Sequence, residues 1–140
     1  MDKILGKWQL KENRGFDNFL IFTQTAWLSR TVALSCPINV SITRLLKSGK
    51  NQNHYTKTIQ SLFYNATENI VLDSQSRDYN KIKKSYYLKD DVIHADITGT
   101  IVNWKERIYV QDSNLFIRYF WLEGCITQTA TQEFVKSKEE

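Results

Sequence analysis

Trp8 and Leu10 alternate with Lys7, Gln9 and Lys11, the period-two pattern of a half-buried strand. The pattern stops at the turn signal Asn13-Arg14-Gly15. Phe16, Phe19 and Leu20 follow at helical spacing, with Asp17 in the first turn, where a carboxylate suits the helix dipole. A second helical run over 26–35 puts Trp27, Thr31 and Leu34 on one face and Leu28 and Val32 on the next. Pro37 forbids its continuation. Beyond it only short alternating runs occur: 38–46, 53–64, 69–73, 81–88, 92–98, 104–111, 115–123 and 126–135. Turn signals separate them at 48–51, 64–67, 73–78, 89–91, Gly99, 112–114 and 123–124. Short strands at such intervals predict an all-β meander closed into a barrel or sandwich. Counting the first strand, and splitting 53–64 at Lys57, makes ten strands.

The segment from Gly6 to Leu20 resembles the signature of the intracellular fatty-acid-binding and cellular retinoid-binding protein family. The matching positions are Gly6, Trp8, Leu10, Gly15, Phe16-Asp17, Phe19 and Leu20, while Thr23 departs from the usual aliphatic or basic residue. The resemblance is strong over 5–20, good in spacing over 81–134 and loose over 48–77. It implies a ten-stranded antiparallel flattened barrel, capped by a two-helix lid at about 16–35 between the first and second strands. The whole chain, 1–140, then forms one domain, with a frayed tail at 136–140.

Composition narrows the function classes. Five Gly and one Pro argue against disorder. Seven Phe, seven Tyr and four Trp serve an apolar pocket and a plain aromatic core equally well. The net charge of +4 is mild and fits either a mixed solvated surface or attraction to anionic membranes and ligands. The densest basic run, Lys81-Ile82-Lys83-Lys84, has no nucleic-acid-binding motif beside it, so nucleic acid is not an expected partner. The first ten residues hold no apolar run of signal-peptide length. Cys36 and Cys125 form no CxxC and read as free thiols of the cytoplasm. The sequons at Asn39 and Asn65 then read as chance.

Catalytic and metal chemistry find no constellation. His54 and His94 stand alone, apart from Asp96 two residues beyond His94. No nucleophile elbow, P-loop, zinc helix motif or dinucleotide fingerprint occurs. Glu106 is the one acidic residue whose setting is apolar enough to raise its pKa. The expectation is a non-enzymatic protein with no metal or cofactor.

The last strands carry the candidate site. In 126–135, Thr127, Thr129, Thr131, Glu133 and Val135 share a face that should meet solvent. Ile126, Gln128, Ala130, Gln132 and Phe134 share the other, so Gln132 should lie inside the barrel. The resemblance implies an inward Arg-x-Tyr here that holds a fatty-acid carboxylate, and this chain has Gln132 and Phe134 instead. A second family arginine falls at Ile108; Arg107 is adjacent and points outward unless a bulge rotates the strand. Further candidate contacts are Ile117, Tyr119 and Trp121 on the ninth strand, Phe16, Leu20, Trp27, Ala33 and Pro37 at the lid, and Tyr55 near the expected portal. For each of these, core packing and ligand contact are equally open.

Magnitudes show what the lost arginines change. A buried methylene is worth ~0.8 kcal/mol, so a sixteen-carbon tail offers on the order of 12 kcal/mol before entropy. A charge-assisted hydrogen bond adds only ~1.5–3 kcal/mol. Tail burial sets affinity and the head group sets selection. The expected function is an intracellular monomeric carrier of a long-chain fatty acid, or of a less acidic relative such as an alcohol or retinoid. Transient contact with anionic membranes through the lid is expected as well. The rivals are a secreted lipocalin, a haem-binding barrel or lipid-modifying enzyme using Glu106 or His94, and an interaction domain with a filled core.

Overall fold

The computed structural model describes residues 2–44, 54–61, 65–79 and 82–137. Among them ten strands occur: β1 (Gly6–Arg14), β2 (Ile38–Arg44), β3 (His54–Ser61), β4 (Asn65–Val71), β5 (Arg77–Tyr79), β6 (Ile82–Lys89), β7 (Val92–Thr98), β8 (Asn103–Gln111), β9 (Asn114–Glu123) and β10 (Ile126–Lys136). Helices α1 (Phe16–Phe22) and α2 (Trp27–Ser35) stand between β1 and β2. The strands form one antiparallel sheet in the order β4-β3-β2-β1-β10-β9-β8-β7-β6-β5. Pairing of β1 with β10 joins the two ends of the chain, and curling brings edges β4 and β5 towards each other. The expected fold is therefore the observed one: a nearly closed ten-stranded barrel with two helices after the first strand.

The hairpins explain the register of the second half. Asp90 and Asp91 have φ of 54° and 64°, and Asp112 and Ser113 have φ of 52° and 69°. Two consecutive left-handed residues make the tight turn whose twist matches that of the flanking strands. Each turn therefore pins its hairpin, and the β6–β7 and β8–β9 pairings run without a shift. Trp8 is buried at the opposite end of the chain's first strand, where its indole N–H donates to the Ile4 carbonyl at 2.9 Å.

Four expectations need correction. Nothing breaks at Lys57: β3 runs through it to Ser61, and the tenth strand is β5, which begins at the end of the expected 73–78 turn region. Ile126 alternates in step with the inward residues but is 65% exposed, at the turn end of the β9–β10 hairpin where it pairs with Glu123. Glu133 keeps to the outer face yet is buried, covered by Lys11 at 3.5 Å, Arg14 at 3.2 Å and an Asn114 amide donating at 2.7 Å. The tail does not fray at Lys136, which pairs with Trp8, nor at Ser137, whose N–H donates to the Lys7 carbonyl at 2.9 Å. The expected turn at 48–51, the strand ends at 45–46 and 62–64, and residues 80–81 and 138–140 lie outside the described residues.

Gly15 lets β1 turn directly into α1. Its φ is 70°, and a Cβ there would sit 3.1 Å from the Thr129 carbonyl oxygen. A left-handed residue with a side chain costs about 1–2 kcal/mol. Gly15→Ala should therefore lower unfolding free energy by about 1–2 kcal/mol in urea, with most of the loss in the contact between α1 and β10.

Candidate functional site

The inner face of the sheet carries a row of polar side chains across four neighbouring strands. It begins on β1. A register shift between Leu10 and Glu12 changes the strand's phase, so that Leu10 opposes Phe134 and Asn13 opposes Gln132. Cross-strand partners share a face, so Asn13 joins Leu10 and Trp8 on the inside. On β10, Ala130, Gln132 and Phe134 are all buried, as their alternation predicts. On β9, Leu115, Ile117, Tyr119 and Trp121 are buried. On β8, Glu106 and Ile108 are buried, and Glu106 lies directly opposite Tyr119. The row thus reads Asn13, Gln132, Tyr119, Glu106.

Its hydrogen bonds are incomplete. The Tyr119 hydroxyl donates to Gln132 Oε1 at 2.6 Å, and the Trp104 indole N–H donates to Glu106 Oε2 at 2.9 Å. Asn13 Oδ1 is buried with no donor. Burial, then the Glu106 and Glu68 carboxylates, push the Tyr119 hydroxyl well above its ordinary pKa, so it remains a neutral donor.

Aromatic rings from α1 cover this row. Phe16, Phe19 and Leu20 are the buried face of the helix. Phe19 stacks on Tyr119 at 4.4 Å between centroids and meets Trp104 and Trp121 at 5.5 Å each. Phe16 lies 5.3 Å from Tyr119. Beyond Trp104 and Trp121, an open cavity of about 660 Å³ lies at the barrel rim, lined by Phe22, Ile97 and Leu122 and also by the polar Asp96, Asn103 and Lys105. That volume suits a drug-sized or lipid-sized ligand. One ring, Phe19, touches both cavity tryptophans and the tyrosine of the polar row.

A second interior cluster sits at the seam between the sheet edges. Lys57 on β3 opposes Glu68 on β4, with Lys57 Nζ 3.4 Å from Glu68 Oε1. Across the gap, β6 sends Lys84 Nζ to Glu68 Oε2 at 2.9 Å and the Tyr86 hydroxyl to Glu68 Oε1 at 2.8 Å. Tyr79 on β5 donates to the Asn69 carbonyl of β4 at 2.5 Å. Side chains therefore close the barrel where no ladder joins β4 to β5 among the described residues. Burial alone would raise the Glu68 carboxyl; Lys57, Lys84 and the Tyr86 hydroxyl outweigh it and hold the pKa down at about 2.

Of the predicted contacts, Gln132, Phe134, Ile108, Ile117, Tyr119, Trp121, Phe16, Leu20 and Tyr55 are all buried. The structure brings Gln132, Tyr119 and Phe16 together; Tyr55 lies apart, opposite Ile70 and beside Arg44 at 3.4 Å. Arg107 does not join them. No bulge interrupts β8 at its pairings with β7 and β9, and Arg107 is exposed, with its guanidinium 4.6 Å from the Phe120 ring. Ala33 packs against the core and Pro37 is exposed. Trp27 begins α2, but its side chain lies outside the described residues.

Sequence reasoning missed Asn13, Lys57, Glu68 and Lys84 as interior groups, and placed Phe19 on the apolar run of the first helix without naming it as a ligand contact. The signal for three of them was phase. Lys57 alternates in step with Tyr55 and Ile59, Glu68 with Ile70, and Lys84 with Tyr86. Asn13 had no such signal, because the shift after Leu10 reverses its phase.

By sequence, no protein-family model and no curated protein matches the chain. By structure, several solved proteins match nearly end to end. The REP1-NXSQ fatty acid transporter superimposes with a TM-score of 0.84 at 14% identity, over 100% of both chains. The fatty-acid-binding protein 1 of Echinococcus granulosus gives 0.82 at 14% identity, over 99% of this chain and 100% of its own. The Schistosoma mansoni fatty acid binding protein, in complex with arachidonic acid, gives 0.83 at 15% identity, over 99% and 98%. The chain has the fatty-acid-binding-protein fold. At these identities the likeness is one of architecture.

Proposed function

We propose that this protein is a carrier that holds a long-chain lipid, a fatty acid or a less acidic relative, non-covalently beneath α1. The observation that carries the reading is the inward polar row Gln132, Tyr119 and Glu106, ending at the unpartnered Asn13 Oδ1, covered by the α1 rings that border a cavity of about 660 Å³ at the barrel end. Buried polar groups are normally satisfied, so an inward polar row with an open acceptor at its end has the form of a head-group site. The fold is shared with proteins named for fatty-acid binding and transport, which supports the same use. The free thiols Cys36 and Cys125 fit a reducing compartment such as the cytoplasm. Ile21 and Leu34, exposed on α1 and α2, give the lid an apolar outer surface for transient contact with a membrane.

Displacement of a fluorescent fatty probe from the purified protein tests this. Saturable binding is expected, competed by long-chain lipids and weakening as the chain shortens, because each methylene contributes ~0.8 kcal/mol. Native mass spectrometry should show one lipid per chain after extraction and reloading. Absence of both signals would rule the carrier reading out.

A further inference from the structure

The pairing of β8 with β9 stops short of the barrel rim. Its last pair is Lys105 with Phe120. Beyond it, Asn103 and Trp104 pair only with β7, and Trp121, Leu122 and Glu123 pair only with β10. The β7–β8 and β9–β10 hairpins therefore part at their tips, and the rim cavity of about 660 Å³ occupies the cleft between them. Both faces of the sheet line it. Ile97, Trp104 and Trp121 alternate in step with the inward residues of their strands, and Asn103, Lys105 and Leu122 in step with the outward ones. The break runs through the wall.

No hydrogen bond or ion pair spans the cleft among the described residues. The Trp104 indole N–H donates to Glu106 and the Trp121 indole N–H to Glu123, each at 2.9 Å and each on its own strand. Lys105 turns to Asp96 on β7 at 3.6 Å. The seam between β4 and β6 is the contrast, for there Glu68 reaches Lys84 and Tyr86 where a ladder is missing. An alkyl chain crossing that seam would have to part buried ions. Between β8 and β9 it meets indole and aliphatic surface instead.

The mouth suits such a chain. Leu122 lines it, and Ile101 and Ile126 are the chain neighbours of the lining residues Val102 and Thr127; all three are exposed. Apolar side chains there let an alkyl chain begin to leave water before it reaches the interior. The tip that carries Ile101 is held in shape, since the Gly99 N–H donates to the Val102 carbonyl at 3.0 Å. On the inner side Phe19 touches both tryptophans and Phe22 stacks on Trp121 at 5.5 Å between centroids, so α1 closes the cleft from within.

We propose that the cleft between β8 and β9 is the entrance by which a lipid's alkyl chain passes into and out of the barrel, with Phe19 and Phe22 as its inner gate. This deepens the carrier reading and rests on it. The route lies between the last two hairpins and not on β3, where Tyr55 marked the expected portal.

A bridge across the mouth tests it. Were the ladder continued in register, Asn103 would oppose Leu122, and both are exposed. Asn103→Cys and Leu122→Cys, in a chain that also carries Cys36→Ser and Cys125→Ser, are joined by a short bis-maleimide. Loading and release of a fluorescent fatty probe are then followed by stopped flow. Both rates are expected to fall by at least about tenfold and equilibrium affinity to change by less than about threefold, because a blocked entrance slows both directions alike. The same linker between Arg107→Cys and Arg118→Cys, opposite one another where the ladder is intact, should leave both rates within about twofold. Thr127→Trp fills the mouth from β10 without a linker and should slow both rates as well, which decides the matter should the bridged chain fail to fold. Unchanged rates in the bridged protein, with the link verified by mass, overturn the proposal and leave the carrier reading intact. So does a bridge that weakens equilibrium binding about tenfold while loading stays fast, since the cleft would then be a resting site. No saturable probe binding by the unbridged protein overturns both.

Discussion

Glu68→Ala is expected to destabilise the protein by about 3–5 kcal/mol, the cost of leaving buried charge without its partner. Lys57 and Lys84 both lose the Glu68 carboxylate in that variant, and Lys84 keeps a further attraction, to Glu106. Their side chains are 6% and 11% exposed, so water cannot replace it cheaply. The Tyr86 hydroxyl also loses its acceptor. Urea denaturation followed by tryptophan fluorescence should show the midpoint fall with little change in slope. Hydrogen exchange should quicken first in β4 and β6, because Glu68 spans the seam between the sheet edges. A triple variant with apolar residues of similar size at Lys57, Glu68 and Lys84 should recover much of the loss, since a buried ion group contributes little net stability over good apolar packing. A Glu68→Ala variant as stable as the wild type would show that the seam is not held by this cluster.

The same cluster predicts acid sensitivity. The Glu68 carboxyl has its pKa held down at about 2 against an unfolded value near 4.5. A depressed folded pKa stabilises the fold above the unfolded pKa, and that stabilisation is lost as pH falls through the folded one. The loss should therefore develop between about pH 4.5 and pH 2 and amount to about 3 kcal/mol, at ~1.4 kcal/mol per unit. Glu68→Ala should flatten that part of the stability profile.

Architecture was legible because each strand's alternation and each turn's chemistry agreed. Asp90-Asp91 and Asp112-Ser113 read as turns and fold as the tight hairpins that set the second half of the sheet. The alternation on β10 correctly put Ala130, Gln132 and Phe134 inside. The first half was read less well for a physical reason. Lys57 and Glu68 occupy core-facing positions, so a pattern that equates charge with solvent breaks a continuous strand at Lys57 and starts β4 late. These ions are tolerated inside because the Glu68 carboxylate lies between the two ammoniums across β3, β4 and β6 and Glu106 on β8 also attracts Lys84, a compensation between segments distant in sequence. The Asn13 position was hidden by a single register shift, which reverses inside and outside for the residues after it. The exposed Arg107 marks the reverse case: a family position nearby made an interior role worth considering, while plain period-two counting placed it outside, where it lies.

Phe19→Ala should act on stability and ligand exchange together. The ring is 6% exposed and touches Tyr119, Trp104, Trp121 and Phe16, so truncation removes the main contact by which α1 rests on the barrel. Phe→Ala at buried sites costs about 3–5 kcal/mol. The lower end is expected here, since a helix of only seven residues at the rim can settle into part of the space. Ile21→Ala on the same helix is the control, because Ile21 is 52% exposed and its loss should stay within about 0.5 kcal/mol. The second effect follows from position. Phe19 separates the cavity beside Trp104 and Trp121 from the Tyr119–Gln132 pair beneath it. Without the ring the cavity extends towards that pair, and a bound lipid should leave about tenfold faster in a stopped-flow displacement, with a smaller change in the association rate. If Phe19→Ala and Ile21→Ala shift stability equally, the ring is not what seats the helix. If the departure rate does not change, ligand does not pass beneath α1.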